Sequence, residues 1–249
     1  MKLRIGSLIF AFALAGTACS SDGTVSAPDS LSDADTEAST DDTTTEGSGS
    51  QSGASAAYES FQALPVACEG TAPEPPESKQ YDEAEDQGIE DSQTVTATIT
   101  TSCGDLTLEL NPEAAPNTVN NFVFLAREGF YNGVVSHRIA PGFVLQVGDP
   151  TATGGGGPGY KFDDELPAES AEYVKGAVVM ANSGPDTNGS QIFINFVDTP
   201  GLPAQYSKFG QLTGGEDVLA KIEQIPATGP NGDTPTQALY IESVTVDVT

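Results

Sequence analysis

From Thr94 onward the chain alternates. "TVTATITTSCGDLTLEL" places apolar and polar residues in turn on both sides of Cys103-Gly104-Asp105, the pattern of two half-buried strands joined by a tight turn. "NPEAAPNTVNNFVFLAREGFY" then shifts to a period near 3.6. Val119, Phe122, Val123 and Ala126 share one face, and Pro116 or Asn117 supplies the start, so a helix is predicted there. Short runs with strand character return at 134–139, 143–147, 177–181, 192–196 and 208–212. A second helix fits 216–224, and 239–248 alternates again as a closing strand. Seven or eight short strands with two helices predict an all-β antiparallel barrel or sandwich.

Upstream of residue 93 the pattern fails. Residues 20–57 are dominated by Ser, Thr, Asp, Glu, Gly and Ala, with no Lys or Arg. Such a segment has too little apolar surface to offset its ordering entropy and reads as a disordered, self-repelling tether. "YESFQALPVAC" is mildly apolar and able to dock on a domain; "TAPEPPESKQYDEAEDQG" returns to linker character. The organisation predicted is therefore 1–18 signal peptide, 19–92 acidic, largely disordered linker, and 93–249 folded domain.

The first segment bears on location. Lys2 and Arg4 precede an apolar run at 5–15 that is too short for a mature membrane span, as in an export signal. "LAGTACSSDG" places small residues before Cys19, as in bacterial lipoproteins, with Gly16 where an aliphatic residue is usual. The expectation is an exported chain anchored on the outer side of the membrane through lipid on Cys19, or secreted if Cys19 is unmodified. Lipid on Cys19 leaves Cys68 and Cys103 as an even pair, which predicts a disulfide in an oxidising compartment. One histidine cannot complete a zinc site with them, so no metal is expected.

Charge narrows the partners. The formal net charge is -27, and loss of the two basic residues in 1–18 makes it -29, with 7 basic against 36 acidic residues. That surface repels nucleic acid and anionic head groups, so neither is an expected partner. Against this background "SHRIAPGFVLQVGDP", residues 136–150, carries the only histidine and an arginine in an apolar stretch. A half-buried guanidinium without a partner is costly. Either the fold pairs it or a substrate uses it.

That stretch and "VVMANSGPDTNGSQIFI", residues 178–194, resemble the two signature segments of the cyclophilins, the peptidyl-prolyl cis/trans isomerases. "GGGGPGYKFDDE" and "SKFGQL" resemble the same family in order and spacing. The resemblance runs from about Val95 to Val248. It implies a closed eight-stranded antiparallel barrel capped by two helices, acting without a cofactor on proline-containing polypeptides. It also implies a catalytic Arg138 assisted by Gln146, and a proline pocket of Phe143, Val144, Phe193 and Leu202, with valine at 144 for a more usual methionine. Gln191 falls beside the arginine, Ala181 and Asn182 on the strand edge that binds the substrate backbone, and Tyr206 at the pocket rim. Gly201 falls where many members carry a tryptophan that packs on the inhibitor cyclosporin and donates its N–H to it.

Other readings are weaker. Ser136-His137 has no GxSxG stretch to support a serine hydrolase. Gly154, Gly156 and Gly159 match GxGxxG but lack a following helix and a lysine, so phosphate binding is not expected. The alternative that survives is a non-catalytic scaffold that binds proline peptides. In either case a monomer is expected.

Overall fold

The computed structural model describes residues 55–168 and 173–249. The predicted signal peptide, Cys19 and the tether up to residue 54 lie outside the described residues. Among those described, no helix is long and apolar enough to cross a membrane.

The alternating segments are strands. β1 (Val95–Thr101) and β2 (Gly104–Leu110) form a hairpin in full register, from Val95 opposite Leu110 to Thr101 opposite Gly104. The turn is Ser102-Cys103, one residue earlier than the sequence pattern placed it. Val95, Ala97 and Ile99 of β1 and Leu106, Leu108 and Leu110 of β2 face the core. Six more strands complete the sheet: β3 (Arg138–Ala140), β4 (Val144–Val147), β5 (Ala177–Met180), β6 (Ile192–Asn195), β7 (Lys208–Gly214) and β10 (Ile241–Val248). Their order is β10-β1-β2-β7-β5-β6-β4-β3, antiparallel throughout. β8 (Ala227–Thr228) and β9 (Thr234–Pro235) make a separate two-stranded ribbon.

The expected closed barrel is corrected to an open, curled sheet. No ladder joins the outer strands β10 and β3. The chain just ahead of each crosses the seam instead, with one isolated bridge, Val135 to Tyr240, and hydrogen bonds from Ser136 N to Leu239 O and from Ile241 N to Val134 O, each 2.8 Å.

The two predicted helices are present. α2 (Pro116–Arg127) buries Val119, Phe122, Val123 and Ala126. Ala115 at its N-cap offers no side-chain acceptor; Glu165, far along the chain, takes the N–H groups of Asn117 and Thr118 at 2.9 and 2.8 Å. α3 (Glu216–Glu223) buries Val218, Leu219 and Ile222.

A third helix, α1 (Ala56–Gln62), lies at the start of the mildly apolar stretch. Tyr58 is fully buried and donates to Gly133 O at 2.6 Å. Tyr58 and Phe61 pack with Val135, Ala152, Ala238 and Tyr240, which covers the seam. Val66 bridges Ala238, and the Cys68–Cys103 disulfide, at a sequence separation of 35, ties this segment to the β1–β2 turn. Beyond it Tyr81 sets its ring edge-on to Phe124 of α2 at 5.0 Å and gives its N–H to Pro158 O at 2.8 Å. The part of the predicted linker after residue 54 is thus a strap laid on the sheet and on α2. Its few apolar side chains are spaced to meet the domain, a fact invisible without the domain.

Replacing Cys68 and Cys103 together by serine should lower unfolding free energy by about 2–4 kcal/mol, because a loop of this length is no longer closed in the unfolded chain. Denaturant unfolding of the oxidised protein and the double variant measures this; equal midpoints would show that the crosslink adds nothing.

Candidate active site

Strand register builds the site. Arg138 of β3 lies opposite Gln146 of β4, Gln146 opposite Phe193 of β6, and Phe193 opposite Val179 of β5. These four residues therefore form one row across four strands. Their chain neighbours Ile139, Leu145, Ile192, Ile194, Val178 and Met180 point the other way, into the main core. β5 and β6 are buried on both faces, which explains their unbroken apolar sequence. A one-residue slip in any of these strands would exchange the two sets.

On the row's side lies a cavity of about 210 Å³ lined by Arg138, Phe143, Val144, Gln146, Ala181, Asn182, Phe193, Leu202 and Tyr206. Nine of the ten residues expected from sequence share this one cavity. The tenth, Gln191, accepts from Gln146 Nε2 at 2.9 Å. Phe193 and Val144 are buried with Tyr173, Ala177 and Val179, and Phe143, Leu202 and Tyr206 pack on that cluster. Phe193 and Tyr206 meet edge to face at 5.6 Å. Tyr173, not singled out in the sequence, donates its hydroxyl to Tyr206 O at 2.7 Å and accepts from Tyr206 N at 3.1 Å, which fixes the rim residue.

The arginine is held by polar partners. Nη1 donates to Gln146 Oε1 at 3.1 Å. Gln146 donates to Gln191, and Gln191 Nε2 to Gly154 O and Gly156 O at 2.9 and 3.0 Å. Each amide accepts on one side and donates on the other, so the three side chains form one continuous relay. Nε of Arg138 forms an ion pair with Asp233 Oδ2 at 2.8 Å. Beside the glutamine expected from the resemblance, the structure places a carboxylate on the arginine. Asp233 is 95 residues away, and an aspartate in "NGDTP" looks like any turn residue, so no local signal marked it. Arg138 Cζ also lies 5.7 Å from the centre of the Phe143 ring.

The glycine-rich loop is turned inward. Asp149, fully buried, accepts from Thr151 N and Oγ1, each at 2.7 Å, from Gly154 N at 2.6 Å and from Gly156 N at 3.1 Å. A Cβ on Gly156 would lie 2.0 Å from Asp149 Oδ1, so only glycine fits. The N–H groups a phosphate would need at Gly154 and Gly156 are committed to this carboxylate. Ser136 is also no nucleophile for His137. It is fully buried, and its hydroxyl donates to Gln146 O at 2.9 Å, with Arg138 O also within reach at 3.1 Å.

Residues 96–246 match the family described as cyclophilin type peptidyl-prolyl cis-trans isomerase/CLD, and the chain belongs to that family. It is 49% identical over 156 residues to a peptidyl-prolyl cis-trans isomerase-like 2 of Cryptococcus neoformans, spanning 60% of this chain but only 27% of that protein. It is 46% identical over 135 residues to a peptidyl-prolyl cis-trans isomerase of Helicobacter pylori, covering 53% of this chain and 83% of that one. A crystal structure of a Cryptosporidium parvum cyclophilin type peptidyl-prolyl cis-trans isomerase superposes with a TM-score of 0.58 at 33% identity, over 62% of this chain and 98% of that one. The same parasite protein has a structure in the presence of the dipeptide Ala-Pro.

Burial pushes the His137 imidazole below its ordinary value of 6.5; the Asp149 carboxylate opposes this and Arg138 reinforces it. The unfolded chain then binds the proton more readily. This site's contribution to stability is full above pH 6.5 and is lost as pH falls from there toward the lowered value. Burial also works against the Asp149 carboxylate, but the hydrogen bonds from Thr151 and Gly156 outweigh it and lower its pKa. Its own window therefore lies below the ordinary 3.8, clear of the histidine's. The thermal midpoint should fall between pH 7 and pH 5.5, and His137→Asn should flatten that slope; identical slopes in the two proteins would contradict it.

Proposed function

We propose that this chain accelerates rotation about X-Pro bonds in exported or envelope proteins, with Arg138 stabilising the twisted amide. The observation that carries this is a guanidinium tied at two nitrogens beside a cavity walled by Phe143, Phe193 and Leu202. Amide conjugation sets the barrier to rotation at about 18–20 kcal/mol. Twisting breaks that conjugation and returns a lone pair to the proline nitrogen. A fixed donor aimed at this nitrogen, or at the adjacent carbonyl, interacts more strongly with the twisted state than with either planar one, and that difference is catalysis. The apolar wall grips the ring while the preceding carbonyl turns. The Ala181 N–H is already bonded to Gln191 O at 2.9 Å, so its carbonyl is the group left to receive a peptide N–H. No nucleophile or proton transfer enters.

Export is supported by the charged, apolar start of the chain and by the Cys68–Cys103 disulfide, which suits an oxidising compartment. Lipid on Cys19 would place the isomerase at the outer membrane face; mass spectrometry of envelope-purified protein reads this directly, and an unmodified Cys19 rules it out.

A protease-coupled isomerisation assay tests the chemistry. Arg138→Ala should fold normally and lose about ten- to 150-fold in rate, the equivalent of about 1.5–3 kcal/mol for one charge-assisted contact. Full turnover by the folded variant would remove Arg138 from its role and favour the peptide-binding scaffold.

Gly201 is exposed, and a Cβ built there meets nothing within 4 Å, so the pocket rim has room for a large side chain. Without an indole, cyclosporin should bind about 30- to 1000-fold more weakly than to family members with tryptophan. Gly201→Trp should recover much of that affinity with smaller change in turnover, since the ring site lies deeper. Calorimetry of both proteins decides it; tight binding by the unaltered chain would refute the placement of Gly201.

A further inference from the structure

Asp233 stands just before β9, at the end of the ribbon turn. Its backbone oxygen accepts from Ile139 N at 2.9 Å, which fastens the ribbon to β3 one residue from Arg138. Its side chain is only 16% exposed, and Oδ2 takes Nε of Arg138 at 2.8 Å. Gln146, on β4, takes Nη1 from another direction. Two acceptors on separate elements thus hold two of the three guanidinium nitrogens, while Nη2 donates to no acceptor among the described residues. The arginine side chain is long and one-third exposed, so one contact alone would leave the guanidinium free to swing about it.

We propose that Asp233 is a positioning residue of the isomerase site. By binding Nε it holds the guanidinium in the orientation that leaves Nη2 for the substrate amide. The proposal rests on the catalytic reading of Arg138. A carboxylate at Nε also draws down part of the positive charge, so in this role fixed direction outweighs maximal charge.

Kinetics of Asp233→Ala, Asp233→Asn and Arg138→Ala, each beside the unaltered protein, test this. Losing the anchor should lower kcat/KM of Asp233→Ala by about tenfold, on the scale of one charge-assisted hydrogen bond. The loss should fall in kcat with KM nearly constant, because the apolar wall is untouched. Asparagine keeps an acceptor oxygen at the same place and should hold the loss to about threefold. In ¹⁵N-resolved NMR the Arg138 Nε–H should exchange slowly with water in the unaltered and Asn proteins and fast in the Ala variant. Wild-type turnover by Asp233→Ala beside an impaired Arg138→Ala overturns the role of Asp233 alone. An unimpaired Arg138→Ala overturns the catalytic reading and this one with it. If the Ala variant does not fold, the Asn variant decides: a protected Nε–H with a small loss supports positioning, and a loss of tenfold or more overturns it.

Discussion

Everything at the site depends on the two-residue period of the strands acting together with their antiparallel register. Arg138, Gln146, Phe193 and Val179 belong to four different strands and meet because each is the outward partner of the next. The same alternation turns Ile139, Leu145, Ile194 and Val178 into the main core, where their burial resists slippage of any strand. Packing on one face therefore fixes chemistry on the other. No residue of the row is close to another in sequence except Arg138 and Gln146, which share the β3–β4 hairpin.

The second constraint is the strap. An open sheet leaves a seam, and α1 with residues 65–67 fills it with Tyr58, Phe61 and Val66. The same strap reaches the glycine-rich loop at two places. Ser55 Oγ donates to Thr151 O, and Gln80 Nε2 donates to Gly157 O at 3.0 Å. That loop receives the hydrogen bonds of Gln191, which in turn accepts from Gln146. A continuous set of contacts thus runs from the strap to the arginine.

Electrostatics follow the same economy. In a chain with 36 acidic residues an arginine is easily neutralised. Here its neighbours are two neutral amides in series and a single carboxylate at Nε. The pair is partly open to water, so its net contribution to stability is small, and its value lies in direction. Asp149 shows the opposite case, a carboxylate buried outright and satisfied by loop N–H and hydroxyl groups, spent on shaping the backbone beside the cleft.

The sequence by itself determined which segments become strands and helices, because period 2 and period 3.6 follow directly from backbone geometry and are visible in any window. It also determined the family, through two long motifs, and most of the cavity lining from Phe143 to Tyr206. Three things were decided only by the tertiary structure. The sheet stays open between β10 and β3, where α1 and the chain at 133–136 and 238–240 fill the seam, and no local sequence pattern announces which strands close a barrel. Residues 55–92 lie on the domain although their composition reads as linker, because a few apolar side chains suffice when complementary hollows and a disulfide await them. Asp233 reaches Arg138, as Glu165 reaches the start of α2, across a large gap in sequence. Pairing between single polar residues carries no period and no motif. Only the folded chain brings such partners within hydrogen-bond distance, and only distance gives them a role.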